Sequence, residues 1–321
     1  MRFYLAPLEG ITGYIFRNAL RQYFGEGIDK YYTPFLTPHI KRAFSSKELN
    51  EISVENNKSL NLVPQILTGD SDDFTRLAGE LRNIGYEEVN LNLGCPSKTV
   101  ANKGRGAGAL RDIDKLDDFL YRIYDAEVRQ NGCSRISIKT RLGIENPEEF
   151  AAIFEIYKKY PIYELTIHPR VMKEVYSGIV HQDIFIDCLN NCDFNVCYNG
   201  DINSIDDYKK LMVDITDFTK SLPSNLTGVM IGRGLLKNPA LVRELDGGES
   251  ATNQEIYDFL LCLRSEYEKI FSGQTPLLFK LKEVWSYLQT RYPDKDKLCK
   301  KLLKSKSLQE YEVYVKQILE V

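Results

Sequence analysis

Short apolar runs recur along the first three quarters of the chain, and a helix-spaced pattern follows almost every one. Residues 3–6 (Phe-Tyr-Leu-Ala) and 30–33 (Lys-Tyr-Tyr-Thr) begin the series, and residues 62–66, 88–91, 135–139, 164–167, 195–198 and 228–231 continue it. Runs this short, bounded by turn formers, read as buried strands. Between them the spacing turns helical. Asp70-Ser-Asp-Asp73 predicts an N-cap for a helix carrying Phe74, Leu77, Ala78 and Leu81 on one face. Further helices are expected at 14–23, 113–131 and 204–218, and another opens at Pro147 ahead of Phe150, Ile153, Phe154 and Tyr157. The stretch 37–58 reads as a polar loop. Residues 246–252 (Asp-Gly-Gly-Glu-Ser-Ala-Thr) read as a linker. Beyond it strand patterns stop, and amphipathic helices are expected at 254–271 and 275–291, followed by two shorter ones.

Eight strands alternating with helices over about 240 residues is the α/β pattern of a (β/α)8 TIM barrel. An open doubly wound sheet is the alternative, but it rarely repeats so regularly. The expected organisation is a barrel over 1–245 and a small all-helical domain over 246–321. A barrel gathers functional residues at the C-terminal ends of its strands. Polar and glycine-rich residues do stand at nearly every predicted strand exit. Pro7, Leu8 and Glu9 follow the first strand, and Gln65 ends the third. Asn92 and Cys95 follow the fourth, Lys139 and Arg141 the fifth, and His168 and Arg170 the sixth. Asn199, Gly200 and Asp201 follow the seventh, and Gly232 and Arg233 the eighth.

Composition narrows the class without naming it. The chain has 321 residues, 43% hydrophobic and 27% charged, which is ordinary for a folded protein rather than a disordered or coiled-coil one. The net charge of −3 announces no global affinity for polyanions, so any such site is a local patch. Lys295, Lys297, Lys300, Lys301, Lys304 and Lys306 form one candidate, readable either as a solvated helix face or as a nucleic-acid contact. Seven scattered cysteines suggest a reducing compartment and no disulfide framework. No signal peptide and no membrane-length apolar run is evident, so a soluble cytoplasmic protein is expected, with no membrane partner. No long apolar stripe is left over, which suggests a monomer.

The most informative stretch is Asn90-Leu-Asn-Leu-Gly-Cys-Pro-Ser-Lys98. It places a thiol between a glycine and a proline at a strand exit, ahead of the glycine-rich run Lys103-Gly-Arg-Gly-Ala-Gly108. Cys95 reads either as a catalytic thiol or as a small buried hydrophobe. The glycines after the last two strands, with Arg233, suggest a phosphate site. Lys139 could be a Schiff-base lysine, a phosphate ligand or a cation beside a flavin, and the last fits best with a phosphate-bearing ring cofactor. His168 is either a structural histidine or a cofactor contact. No metal site is expected: Cys188, Cys192 and Cys197 lack convincing ligand spacing.

Taken together, Ala6-Pro-Leu-Glu-Gly-Ile-Thr12 with Phe16-Arg17, the Cys95 stretch, Lys139-Thr-Arg-Leu-Gly143, Ile167-His-Pro-Arg170, Asn199-Gly-Asp201 and Gly232-Arg-Gly234 resemble the tRNA-dihydrouridine synthases. The resemblance spans residues 1 to about 245, with the motifs in the family's order, while the C-terminal region matches in kind more than in sequence. It implies an FMN enzyme that uses NADPH to reduce the C5–C6 double bond of particular uridines in tRNA. By the family's pattern Pro7, Leu8, Glu9, Gln65, Lys139, His168, Asn199, Gly200, Asp201, Gly232 and Arg233 meet FMN, and Cys95 donates a proton. Asn92 contacts the base, and Lys98, Arg141 and Arg170 help to hold RNA. Departures occur at Leu8, where methionine is usual, at Gly13-Tyr14, and in 171–183, which lacks a tryptophan beyond Tyr176-Ser-Gly178. Ribosomal RNA, a free pyrimidine or dihydroorotate are the competing substrates.

Overall fold

The computed structural model describes residues 1–129 and 135–321. Nine parallel strands follow one another around a nearly closed barrel. They are β1 (Arg2–Leu5), β2 (Ile28–Tyr32), β3 (Leu62–Val63), β4 (Gln65–Ile66), β5 (Glu88–Leu93), β6 (Arg135–Arg141), β7 (Glu164–His168), β8 (Asn195–Tyr198) and β9 (Leu226–Ile231). Their order, β3-β2-β1-β9-β8-β7-β6-β5-β4, is sequential around the barrel. The expected eightfold alternation is therefore present. The ninth strand arises because the expected 62–66 strand is broken at Pro64. Proline has no N–H to give to a ladder, so the strand pairs with β2 before the break and with β5 after it. The Pro64 carbonyl still accepts from the Asn90 N–H at 2.9 Å, which carries the sheet across the gap.

Helices cover the outside. Tyr14–Phe24 follows β1, Ser71–Ile84 follows β4, and Ile113–Arg129 lies between β5 and β6. Glu149–Tyr157, Gln182–Asn190 and Ile205–Thr219 follow β6, β7 and β8. Asp70 caps its helix as expected, its side chain accepting from the Asp73 N–H at 2.9 Å. The last two residues of the expected 113–131 helix lie outside the described residues. The reading of 37–58 as a loop is corrected: Ser46–Ile52 is a helix. Ser45 and Glu48 form its capping box, in which each side chain satisfies the other's backbone N–H. Glu51 from that helix meets the fully buried Arg17 at 2.8 Å, and Arg17 also donates to Asn57 and to two backbone carbonyls. This pairing ties the β2 connection to the first helix.

The C-terminal region is helical, with Asn253–Glu268, Gln274–Leu288, Asp296–Lys304 and Leu308–Leu319. An aromatic knot helps to pack it on the barrel. Phe259 lies 5.8 Å from Phe16, 5.6 Å from Phe24 and 6.3 Å from Tyr23 between ring centroids, all edge-on. One continuous apolar core runs from the barrel into these helices. Among the described residues no helix is long and apolar enough to cross a membrane, and no cluster of His, Cys, Asp and Glu could hold a metal ion.

Candidate active site

A cavity opens at the C-terminal ends of the strands. The turn after β1 brings Pro7, Leu8 and Glu9 to its wall. Gln65 enters from β4, Asn92 from β5, Lys139 and Arg141 from β6, and His168 from β7. Asn199, Gly200 and Asp201 follow β8, while Gly232 and Arg233 follow β9. Parallel strands of one barrel all exit on the same side, which is why residues so distant in sequence meet here. Cys95 completes the wall. Two expected site residues do not reach the cavity. Lys98 is exposed at the start of a short helix, and Arg170 lies beneath the rim, 3% exposed.

The turn that carries Cys95 is held from three sides. Asn92 Oδ1 accepts from the N–H groups of Gly94 (3.1 Å) and Cys95 (2.9 Å). Arg141 Nε donates to the Gly94 carbonyl at 3.0 Å. The Ala107 N–H donates to the Cys95 carbonyl at 3.1 Å. Gly106 packs so close that a Cβ there would lie 2.8 Å from the Cys95 Cβ, and its φ of +56° also favours glycine. Asn92 is bonded onward, its Nδ2 donating to Gln65 Oε1 at 2.7 Å, and Gln65 donates to Asn90 at 2.8 Å. The expected base contact thus already holds the thiol's turn and retains one amide N–H for a ligand.

Electrostatics separate the groups into roles. Burial pushes the Cys95 thiol above its ordinary value, against the opposing Ser97 N–H, Arg141 and Lys139. The thiol is therefore protonated at neutral pH. Burial, reinforced by Arg141, lowers Lys139 to about 7. Burial also holds His168 well below its ordinary value, with Arg141, Lys139, Arg170 and Arg233 adding to the effect, so the imidazole is neutral. Burial raises Asp201, but the guanidiniums of Arg170 and Arg233, each 2.7 Å away, outweigh it and keep the carboxylate ionised. The cavity wall carries Lys139, Arg141 and Arg233 against Asp201 and the half-exposed Glu9. Such a surplus of positive charge in a partly enclosed site suits an anion.

Arg141 and Arg170 do not stand free at the rim, where RNA contact was expected. Arg141 is 1% exposed and donates to the carbonyls of Gly94, Val171 (3.1 Å) and Val175 (2.6 Å). Arg170 donates to the Gly178 carbonyl (2.9 Å) and to Asp201. Both guanidiniums fasten the loop after β7 to the barrel.

The model of one known family, Dihydrouridine synthase, matches residues 4–319 of this chain. The chain belongs to the dihydrouridine synthase family. Among its curated relatives, a probable tRNA-dihydrouridine synthase of Staphylococcus aureus is 26% identical over 281 residues, covering 83% of this chain and 78% of the relative. The tRNA-dihydrouridine synthase B of Pasteurella multocida is 26% identical over 246 residues, covering 76% and 69%. The tRNA-dihydrouridine(16) synthase of Neisseria meningitidis is 27% identical over 263 residues, covering 80% and 75%. A solved structure, of a variant of NCR from Zymomonas mobilis, is similar in fold, with a TM-score of 0.51 and 12% identity over 78% of this chain and 88% of that one.

In this family member two wall residues escaped the sequence reading, Phe35 and Tyr176. Tyr176 stacks on His168 with ring centroids 6.3 Å apart. The guanidinium of Arg233 lies 4.8 Å from its ring and that of Arg141 5.7 Å. Its neighbour Val175 holds φ at 51°, uncommon for a β-branched residue, with its carbonyl fixed by Arg141. The signal available in the sequence was the Tyr-x-Gly after His168. Phe35 lies in a connection with no distinguishing pattern.

Proposed function

We propose that this chain reduces the C5–C6 double bond of uridines in tRNA to 5,6-dihydrouridine, with FMN bound in the mouth and NADPH as reductant. The observation that carries the reading is the meeting of a protonated Cys95 with the cationic wall of Lys139 and Arg233 on one cavity, in a member of the dihydrouridine synthase family. The names of the curated relatives support tRNA as substrate. The donor set fits FMN. Arg233, braced by Asp201, and the backbone around Gly200 and Gly232 suit a phosphate group. Gly200 packs directly on Tyr198, where a Cβ would lie 2.0 Å from the hydroxyl oxygen, so this turn admits no larger residue. Lys139 has no carboxylate on its own strand and is lowered to about 7, so an anionic ring bound beside it would favour its charged form.

Bound FMN supplies the hydride that adds to C6 of the uracil. The protein supplies the rest. Cys95 Sγ–H gives its proton to C5, and the thiolate left behind is reprotonated from solvent. A raised thiol value suits this acid role, whereas a nucleophilic thiol needs a lowered one. Asn92 and Arg141 fix the turn from which the proton leaves. The uridine must leave its stack to reach the mouth, at a cost of a few kcal/mol. Phosphate contacts from the helical region beyond residue 245, with its lysines on the helix Asp296–Lys304, offset that cost.

The test is nucleoside mass spectrometry on unmodified tRNA incubated with the holoenzyme and NADPH. Uridine gains the mass of two hydrogens with the wild type. Cys95→Ala lowers the rate by about 10²–10⁴-fold while FMN content stays unchanged. Wild-type turnover by that variant would remove Cys95 as the acid. No product from a flavin-loaded wild type would redirect the search to ribosomal RNA and free pyrimidines.

A further inference from the structure

Arg170 stands just after β7, almost fully buried, and does not line the mouth. Its Nη2 donates to Asp201 Oδ2 at 2.7 Å and to the Gly178 carbonyl at 2.9 Å. Its Nη1 faces His168 Nε2 at 3.4 Å. Its Nε is buried without a partner. A buried guanidinium with an idle N–H is a poor source of stability by itself. Two of the groups it meets, His168 and Asp201, do line the mouth.

Asp201 is shared between two arginines. Its Oδ2 takes Arg170, and its Oδ1 takes Arg233 Nη2, also at 2.7 Å. Among the described residues no other carboxylate pairs with either arginine. Arg233 lines the mouth and makes no other side-chain hydrogen bond among them, so its remaining N–H groups are open to a ligand. The Tyr176 ring, 4.8 Å away, packs on the same guanidinium. A carboxylate and a guanidinium left to themselves favour two parallel bonds. Here Arg170 engages Oδ2, and Asp201 gives Arg233 only one.

We propose that Arg170 is a positioning residue for the cofactor's phosphate: by holding one oxygen of Asp201, it stops that carboxylate from closing on Arg233 with both and keeps the Arg233 fork free. The inference rests on the function proposed above. Without Arg170, Asp201 turns its second oxygen to Arg233, and the arm offered to the phosphate is neutralised and drawn back. With Arg170, two guanidiniums stand against one carboxylate, and a phosphate dianion offsets the surplus. Arg170 meets no reacting atom. Its contacts with Gly178 and His168 shape the wall for any flavin, whereas its hold on Asp201 matters only to one that carries a phosphate.

Riboflavin differs from FMN only in lacking the phosphate. The ratio of the two affinities therefore reads the phosphate end and cancels losses spread over the whole site. Flavin-free full-length chains of the wild type, Arg170→Met, Arg170→Lys, and Arg170→Met combined with Asp201→Asn are titrated with each flavin. The wild type prefers FMN, and Arg170→Met lowers that preference about tenfold. Arg170→Lys stays within about threefold of the wild type, because an ammonium still holds Asp201 Oδ2. The double variant regains most of the lost preference, since an amide has one acceptor oxygen and cannot close on Arg233 with two. Should the methionine variant not fold, Arg170→Gln, which keeps an N–H for the Gly178 carbonyl, shows the same fall. An unchanged preference in Arg170→Met overturns the inference, as do equal losses of both flavins or a double variant no better than Arg170→Met alone. A wild type that binds neither flavin refutes FMN in the mouth and the inference with it. A wild type that binds both equally keeps the flavin but takes the phosphate off Arg233, which overturns the inference alone.

Discussion

Toward the N-terminal end of the barrel, the buried Lys30 lies 2.8 Å from Glu88 and 3.5 Å from Glu164. Tyr4 and Thr227 donate to Glu164 at 2.9 and 2.8 Å, so the carboxylate's remaining capacity is used. Burial alone would lower Lys30, yet Glu164 and Glu88 raise it. Toward the C-terminal end the balance is reversed. Burial wins at Lys139, whose charged neighbour is another cation, Arg141. The same barrel holds one lysine ionised with its partners in place and brings the other close to neutrality. Balanced charge of the first kind fastens strands together. Surplus charge of the second kind lowers stability until an anion arrives, which is the mark of a ligand site.

The comparison is broken most severely at the balanced end. Glu164→Leu leaves Lys30 short of one partner and removes the acceptor of the Tyr4 and Tyr32 hydroxyls, so it destabilises by about 3–5 kcal/mol in urea melts. A loss below about 1 kcal/mol would show that this network holds little. At the surplus end the sign inverts. Lys139→Met raises Tm of the flavin-free protein by about 2–4 °C, near 1 kcal/mol, and weakens flavin retention. The pH dependence follows from a folded value of about 7 against an ordinary 10.5. Below about 7 the ammonium is charged in both states and its burial costs most. Between about 7 and 10.5 the unfolded chain binds the extra proton, so the wild type gains stability as pH rises. The advantage of Lys139→Met is therefore largest in melts at about pH 6 and fades by about pH 10. The smallest effect belongs to charge that is neither buried nor surplus. Arg122→Ala removes an exposed helix pair with Asp118 and shifts stability by less than about 0.5 kcal/mol.

How much of this was legible depends on which force places each residue. Strands were readable because their runs are short and apolar, and the barrel rule then located the strand-exit residues without any contact being known. All eleven residues expected around the cofactor line one cavity. The break at Pro64 was visible as a proline but was absorbed into one strand, since the apolar run continues through it. The helix Ser46–Ile52 was hidden by its polar composition, although Ser45 and Glu48 carried the capping signature. The duties of Arg141 and Arg170 could not be read. Their partners are backbone carbonyls of a folded loop, and carbonyls have no sequence. Tyr176 was missed for a related reason: it reaches the cavity only because those two arginines fold its loop inward.

The burial that keeps the Cys95 thiol protonated has a second consequence, for chemical durability. Peroxide and alkylating reagents attack thiolates far faster than thiols. A cysteine held as the acid is thereby sheltered from oxidation. The shelter extends to electrophilic probes, so covalent labelling of this mouth is slow at neutral pH and accelerates only in alkaline solution.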